Sequence, residues 1–376
     1  MKKLLIFFFL SSLSFAQNAN RKFVSETFEN GYTKILVSDG TYYIKIISDK
    51  IIETSFVPKG ENFTKKSDLV VPVSIPKFDI SSSNTQNELN IKGKNIAIKI
   101  QKTPFQISYF YKNNLITSEK LGYLKRKHIA LENVKGNITA DSTEVLQFNI
   151  SSNEVLYGGG ARALGMNRRG NKLALYNRAQ YGYETRAELM NFCIPLVLSS
   201  NLYAIHFDNA AIGYLDLDSK KENTVEYETI SGRKTYQILV GDTWDELLKN
   251  YTDLTGKQPL PPRWAFGNFS SRFGYHTQEQ VEKTIKKFED DKIPVDAIIL
   301  DLYWFGKTIQ GTMGNLDWDK DNFPNPEKMI SDLNAKGVKI EFISKLVNQL
   351  NKKLLDKLYI MLAPEELQGK SCLVVM

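Results

Sequence analysis

One carboxylate in the sequence stands where enzymes built on parallel sheets place their chemistry. Asp301 directly follows the apolar run Ala297–Leu300, which has the composition of a strand buried on both faces. Three aromatic residues, Tyr303, Trp304 and Phe305, come next. Because barrel and doubly wound enzymes bind ligands at the carboxyl ends of their strands, Asp301 is a candidate ligand-binding residue. On position alone, a capping role at the start of the following loop explains an Asp equally well.

A second candidate region is the segment Val155–Tyr183, which mixes glycines, arginines and tyrosines. Three glycines at 158–160 precede Arg162, Asn167–Gly170 adds two more arginines, and three tyrosines lie between 176 and 183. Ligand pockets combine aromatic walls with a few placed polar groups, and the C–H surfaces and hydroxyls of a sugar match both. The segment therefore suits a carbohydrate surface, and a glycine-rich hairpin with solvated arginines is the alternative.

The elements around Asp301 are predicted to alternate between strand and helix. Val281, Ile285 and Phe288 recur at helical spacing with charged residues between them. The predicted order is a strand over Ala265–Ser271, a helix from His276 or Thr277 to before Ile293-Pro294, a strand over Ala297–Leu300, a helix over Glu327–Ala335, and a strand over Val338–Phe342. This alternation is typical of a parallel sheet with crossover helices.

The chain from about Phe23 to Asp253 has a β pattern instead. Short runs of β-branched and aromatic residues are separated by Gly, Asn, Asp and Ser. Predicted strands include Lys34–Val37, Tyr42–Ile47, Ile51–Val57, Ile91–Ile100, Phe105–Phe110, Val145–Ile150 and Leu202–Phe207. More than two hundred residues of this kind can form one large β-sandwich, which a helix over Leu247–Thr255 would end.

Three segments carry a resemblance to a known family. PPRWAFGNFSSRFGY, IPVDAIILDLYWFG and GNLDWDKDNFPNPEKMISDLNAKGVK, in this order between Pro261 and Lys339, resemble the opening of the catalytic barrel of glycoside hydrolase family 31. The family contains α-glucosidases, α-xylosidases and α-transglucosidases. The resemblance implies a multi-domain fold in which an all-β, galactose-mutarotase-like sandwich is followed by the first part of a (β/α)8 TIM barrel.

The resemblance also implies roles for individual residues. Asp301 would bind hydroxyls of the sugar next to the scissile bond, and Phe273 and Trp304 would line the same pocket. The sandwich loop that carries Arg162 would help to form it. Many members have an Asp in the segment that matches residues 176–181, and this chain has none there. The hydrolytic α-glucosidase subtype is therefore in doubt, and no other subtype is favoured.

The resemblance implies that the catalytic residues lie beyond this sequence. Retaining glycosidases need two carboxylates about 5–5.5 Å apart, and in family 31 both are aspartates from later barrel strands. The predicted organisation is a signal peptide (1–16), the sandwich (17–257), a linker (258–262), the start of the barrel (263–340) and an aberrant tail (341–376). We expect a frameshifted or truncated, inactive product of a glycosidase gene. A non-catalytic, secreted carbohydrate-binding protein is the alternative.

The first sixteen residues have the pattern of a secretory signal. Lys2 and Lys3 precede the apolar run Leu4–Leu10, and Ser14-Phe15-Ala16 is a small-x-small cleavage site before Gln17. The run is much shorter than the roughly 20 residues of a membrane span. We therefore expect an exported protein without a membrane anchor, periplasmic or extracellular.

Composition excludes several other classes. The formal charge of +7 is spread without dense Lys/Arg runs, so no nucleic-acid partner is expected. With three histidines and two cysteines lacking ligand spacing, no metal site is predicted, and no nucleotide-binding glycine motif is present. Cys193 is predicted to be a buried strand residue. The expected partner is an α-linked oligosaccharide, no cofactor is expected, and the oligomeric state stays open.

Overall fold

The chain forms two compact units, one up to Lys257 and one from Gln258. The computed structural model describes residues 20–64, 66–71, 80–130, 139–177, 192–308, 312, 315 and 317–343. The predicted signal peptide, Tyr181 and Tyr183, and the predicted tail beyond residue 343 lie outside the described residues.

Among its described residues, the first unit is all β except for one helix at its end. Its strands are β1 (Phe23–Glu29), β2 (Tyr32–Val37), β3 (Gly40–Ser48), β4 (Ile51–Pro58), β5 (Ser81–Asn84), β6 (Glu88–Lys92), β7 (Ile96–Lys102), β8 (Phe105–Tyr111), β9 (Asn114–Ala130), β10 (Thr139–Asn149), β11 (Leu156–Gly158), β12 (Asn171–Leu175), β13 (Leu196–Ser199), β14 (Tyr203–Phe207), β15 (Gly213–Leu217), β16 (Thr224–Thr229) and β17 (Thr235–Val240). Helix α1 spans Trp244–Thr255, and the Thr243 side chain caps it by accepting from the Glu246 N–H.

These strands build two antiparallel sheets. One has the order β1-β2-β3-β4-β17-β14-β13-β11 and the other β12-β15-β16-β10-β9-β8-β7-β6-β5. Side chains alternate across each sheet, as in β3 and β7, so that one face of each turns to a shared apolar core. The predicted β-sandwich is therefore confirmed.

Two local predictions in this unit are wrong. The run Ile91–Ile100 is two strands, because the Gly93 N–H donates to the Ile96 carbonyl (2.9 Å) and closes a turn. Cys193 is half-buried and precedes β13, which begins only at Leu196, after Pro195. Its N–H donates to the Asn177 side chain (2.7 Å) instead of a neighbouring strand.

One carboxylate is buried in the centre of the sandwich. Glu119 accepts hydrogen bonds from the Tyr42 hydroxyl (2.9 Å) and from the Tyr236 hydroxyl (2.7 Å). Tyr236 is also bonded to the hydroxyl of Tyr109 (2.5 Å), and Arg21 Nη1 donates to Tyr42 (2.5 Å). Burial raises the pKa of Glu119 above its ordinary value. This polar network ties strands of both sheets together.

The second unit alternates strands and helices around a parallel sheet. Its elements are a 3₁₀ turn (Arg263–Phe266), β18 (Phe269–Ser271), α2 (Gln278–Asp290), β19 (Ala297–Leu300), α3 (Pro326–Ala335) and β20 (Lys339–Phe342). The order β18-β19-β20 is parallel throughout. The start of a barrel predicted from the sequence is confirmed among the described residues.

The first strand of this unit is shorter than predicted. Residues from Ala265 form part of the 3₁₀ turn, in which the Gly267 N–H donates to the Trp264 carbonyl (3.0 Å). Pro262, at the N-cap, fixes a φ that leads into such a turn. Helix α2 begins as predicted, with Thr277 as its cap, and ends at Asp290, before Lys292 adopts a positive φ of 54°.

Both helices pack on one face of the parallel sheet. The buried residues on that side are Val281, Ile285, Ile298, Leu300, Met329, Leu333 and Ile340. The opposite face carries Ser271, Ile299 and Glu341, which are register partners on the three strands. Because the apolar sides of both helices cover one face of β19, the polar groups of this sheet can lie on the other face.

Candidate active-site face

The loops that leave β18 and β19 meet at the carboxyl edge of the parallel sheet. The ring of Tyr303, in the second loop, stacks on His276, in the first, with centroids 3.9 Å apart and planes at 26°. Tyr303 adopts φ 71°, a left-handed conformation that is unusual for an aromatic residue. The strained backbone turns this ring towards the neighbouring loop.

Gly274 makes that contact possible. Its φ is 77°, and a Cβ at this position would lie 2.3 Å from Cδ2 of Tyr303. Any other residue would therefore be strained and would displace the tyrosine ring. Phe273, next to this glycine, is 71 % exposed. The structure thus places Phe273 in the loop that contacts Tyr303.

Asp301 is the first residue after β19 and is half-buried. Burial raises the pKa of its carboxyl group. Side chains alternate along a strand, so Asp301 follows Ile299 onto the face opposite the helices. Within the described part of the chain, no hydrogen bond or ion pair engages the Asp301 carboxylate. It is therefore available to accept hydrogen bonds from a ligand.

A second carboxylate lies on the same face. Glu341, in β20, is the register partner of Ile299, is 5 % exposed, and has a pKa raised by burial. The sequence prediction did not select it, because Glu341 falls at the boundary drawn between barrel and tail. The predicted strand Val338–Phe342 could have indicated it. Side chains alternate along a strand, so residue 341 points to the face opposite the apolar residues 340 and 342.

Trp304 has a different setting from the one predicted. It is only 6 % exposed and lies in an aromatic cluster with Phe305, Trp318 and Phe342. Its Nε1–H donates to the Ile343 carbonyl (3.1 Å). These contacts hold the loop after Asp301 against the core. They favour a structural role for Trp304, and contact with a ligand stays a prediction.

Arg162 belongs to the first unit and is 8 % exposed. Its Nε donates to the Gly159 carbonyl (3.1 Å) and its Nη2 to the Ala174 carbonyl (2.6 Å). The guanidinium therefore fastens the glycine-rich turn to strand β12. This use favours a structural role, and the sugar contact predicted for Arg162 stays a prediction.

Arg169 in the same segment is also used structurally. It forms an ion pair with Asp218 (2.8 Å) and donates to the carbonyls of Ser151 (2.9 Å) and Glu154 (2.8 Å). Arg169 is therefore bonded within the protein and does not fit the alternative interpretation of this segment, a glycine-rich hairpin with solvated arginines. Tyr176 packs beside a small cluster around Tyr214.

In the described residues, no group of three or more His, Cys, Asp and Glu side chains could hold a metal ion. In the same part of the chain, no helix is long and apolar enough to cross a membrane.

Two family models match the chain. The glycosyl hydrolase 31 N-terminal galactose mutarotase-like domain matches residues 41–216. The glycosyl hydrolases family 31 TIM-barrel domain matches residues 258–361. The second match continues past Lys339, which is the last residue of the three segments that resemble the family in the sequence.

Similar proteins carry the names of α-glycosidases. Alpha-glucosidase 2 of Bacillus thermoamyloliquefaciens is 26 % identical over 312 residues, which is 80 % of this chain and 36 % of that protein. An alpha-xylosidase of Saccharolobus solfataricus is 28 % identical over 302 residues, 79 % of this chain and 39 % of that protein. The chain therefore spans less than two fifths of the length of these relatives.

A solved structure has the same fold. A family 31 dextranase of Flavobacterium johnsoniae, in complex with isomaltotriose, superposes with a TM-score of 0.76 at 23 % identity, covering 92 % of this chain and 41 % of that one. With both domain models matched in the family's order, the chain belongs to glycoside hydrolase family 31.

Proposed function

We propose that this chain supplies the sandwich and the first barrel strands of a family 31 glycosidase, and that it binds α-linked glucosyl or xylosyl units. The observation that carries the proposal is Asp301. It is a half-buried carboxylate that no described residue engages, at the carboxyl end of a parallel strand, in a chain whose relatives are named α-glucosidase and α-xylosidase.

Asp301 would act by accepting hydrogen bonds from sugar hydroxyls. Hydrogen bonds to a charged group contribute about 1.5–3 kcal/mol each, more than bonds between neutral groups. The ring of Phe273 is exposed and could cover an apolar face of the sugar. Tyr303, held by its stack on His276, would fix the shape of the loop that presents the carboxylate.

The raised pKa of Asp301 gives this binding a pH dependence. The carboxyl group takes up a proton at a higher pH than an ordinary aspartic acid. Since only the ionised form is a purely accepting partner, sugar affinity should decrease as the pH falls through that pKa. The decrease should begin at a higher pH than for an exposed Asp.

Chemistry at the glycosidic bond needs further groups. A retaining glycosidase uses one carboxylate as nucleophile and a second as acid and base. The family places both on aspartates of later strands, and Asp301 and Glu341 are on the second and third strands described here. We therefore expect the polypeptide of residues 1–376 to bind sugar without hydrolysing it. We also propose that it is exported, on the strength of the signal pattern before Gln17.

Binding of anomeric pairs tests this function. Methyl α-glucoside and methyl α-xyloside would be titrated into the whole chain, with methyl β-glucoside as the matched control ligand. We expect the α-glycosides to bind at least several-fold more tightly than the β-glycoside. Equal affinity for both anomers, or no binding of either, would reject the proposal.

An activity assay separates binding from catalysis. Aryl α-glucosides and aryl α-xylosides should release no product above the rate without protein. Turnover by the pure chain would show that residues among 1–376 supply both catalytic carboxylates. That result would overturn the assignment of catalysis to later strands.

A further inference from the structure

A row of three polar side chains crosses the sheet of the sandwich that helix α1 covers. His206 in β14, Gln237 in β17 and Glu53 in β4 are successive register partners, and all three are buried. They share their face of the sheet with an apolar cluster that contains Leu247 and Leu254 of α1. The row therefore lies between the sheet and the helix, on the side opposite the shared core of the two sheets.

The hydrogen bonds along the row determine which nitrogen of His206 carries its proton. Gln237 Nε2 donates to Glu53 Oε2 (2.9 Å), because a carboxylate accepts. The other end of this amide, Gln237 Oε1, lies 2.8 Å from His206 Nδ1 and is also an acceptor. Nδ1 must therefore donate, and Nε2 has no proton in the neutral ring. A second proton can add only at Nε2.

The surroundings of His206 do little to stabilise a charge on its ring. Burial lowers the pKa of His206, and its bond to Gln237 and the charge of Asp208 offset this only in part. The Asp208 carboxylate already accepts from Arg233 Nη1 and from the Ser67 hydroxyl (2.7 Å). Among the described residues, no hydrogen bond engages His206 Nε2.

The elements packed around the ring present uncharged residues to it. These are Tyr251 from α1, Leu196 as the register partner on β13 and, in the same apolar cluster, Val70 from the segment 66–71. Glu53, on β4, is separated from the ring by the Gln237 amide. A proton at Nε2 would therefore leave a charge in apolar surroundings, which is costly.

His206 contacts α1 near the end of the helix. The ring of Tyr251 packs on it edge to face, with centroids 5.6 Å apart and planes at 70°. The start of α1 has an attachment of its own, an ion pair between Glu246 and Lys50. A charge on His206 would therefore act on the last turn of α1 and leave its first turn attached.

We propose that His206 is an acid-sensitive switch that loosens the last turn of α1 when it takes up a proton at Nε2. Movement of this turn would let water reach the charged ring. Because folding lowers the pKa of His206, its contribution to stability is complete above the ordinary histidine pKa of about 6.5 and is lost as the pH falls below it. Helix α1 ends at Thr255, just before the second unit begins at Gln258, so acid would act on the segment that joins the units. The switch does not depend on the function proposed for Asp301.

Hydrogen exchange of backbone amides tests the switch in the whole chain. Exchange is followed by mass spectrometry from about pH 7.5 to about pH 4.5, and each rate is divided by the intrinsic rate at that pH to give the opening equilibrium. Since opening is coupled to uptake of one proton, opening at residues 251–255 should increase by up to about tenfold per pH unit below about pH 6.5. Amides of β7 should show no such increase. Parallel increases in both segments would indicate general unfolding and would overturn the proposal.

Two histidine substitutions assign the effect. His206→Gln cannot take up a proton and should remove the pH dependence of opening at residues 251–255. His276→Gln, which removes an exposed imidazole from the second unit, is the matched control and should retain it. Persistence of the dependence in His206→Gln, or its loss in His276→Gln, would contradict the proposal.

A measurement on the unsubstituted chain decides the matter if His206→Gln does not fold. The ¹⁵N chemical shifts of the His206 imidazole report its tautomer and its titration. We expect a proton on Nδ1 at neutral pH and a second proton only well below about pH 6.5. A proton on Nε2 in the neutral ring, or titration at the ordinary histidine pKa, would overturn the proposal.

Discussion

Replacing Tyr236 by Phe tests whether the network around Glu119 stabilises the sandwich. The substitution removes one hydroxyl and keeps the ring, which packs edge-on against Phe148 with centroids 4.8 Å apart. The lost hydroxyl donates to Glu119 (2.7 Å) and bonds Tyr109 (2.5 Å). Tyr109 retains a bond to Thr54 (2.9 Å), so the main loss falls on the buried carboxylate.

The size of the effect follows from that geometry. Losing a hydrogen bond to a charged group costs about 1.5–3 kcal/mol, and here the group left behind has no access to water. For a unit of roughly 150–250 residues, each kcal/mol lowers the melting temperature by about 2–4 °C. Tyr236→Phe should therefore lower the melting temperature of the sandwich by about 3–12 °C.

The matched control is Tyr111→Phe. It also removes a tyrosine hydroxyl that donates to a carboxylate, Asp242 (3.0 Å), but this pair lies at the surface. Surface pairs of this kind contribute little. Thermal unfolding followed by far-UV circular dichroism should resolve a shift for Tyr236→Phe and none for Tyr111→Phe. Equal shifts for the two variants would refute the argument from burial.

Three further predictions concern titration, backbone strain and export. The pKa of Glu119 is higher in the folded than in the unfolded chain, so its contribution to stability is present at acid pH and is lost as the pH rises through the folded pKa. Glu119→Gln should abolish that part of the pH dependence in urea unfolding, and an unchanged slope would reject it. Gly274→Ala should weaken α-glucoside binding, because its Cβ would displace Tyr303. Gly337→Ala is the control: Gly337 has a similar positive φ but open space around it, so binding should stay intact. Equal binding by both variants would contradict the role given to the Gly274–Tyr303 contact. N-terminal sequencing of the secreted protein should begin at Gln17, and an intact Met1 would disprove export by cleavage.

The fold could be predicted largely from local pattern. Helical spacing of Val281 and Ile285 and the apolar run Ala297–Leu300 determined the order of elements in the second unit. These signals are strong because burial on one face requires a fixed period. The prediction that a strand starts at Ala265 was wrong, because the prolines before it impose a turn that the hydrophobic pattern does not reveal.

The site was less predictable, because burial depends on contacts that are distant in sequence. Trp304 and Arg162 have the residue types of sugar ligands, yet both are buried and hydrogen-bonded to backbone carbonyls. The residues next to them in the sequence give no indication of this burial or of these hydrogen bonds. The stack of Tyr303 on His276 depends on a positive φ and on one glycine in the other loop. No periodic pattern of residues in the sequence predicts such a contact.

The measurement that tests the central claim most directly is the affinity of the chain for an α-glycoside with and without the Asp301 carboxylate. Asp301→Asn is compared with the unsubstituted chain. Losing one hydrogen bond to a charged group corresponds to an affinity at least about tenfold lower. The pH dependence of binding should disappear with it. Equal affinity of the two chains for methyl α-glucoside and methyl α-xyloside would contradict the assignment of Asp301 as a sugar-binding residue.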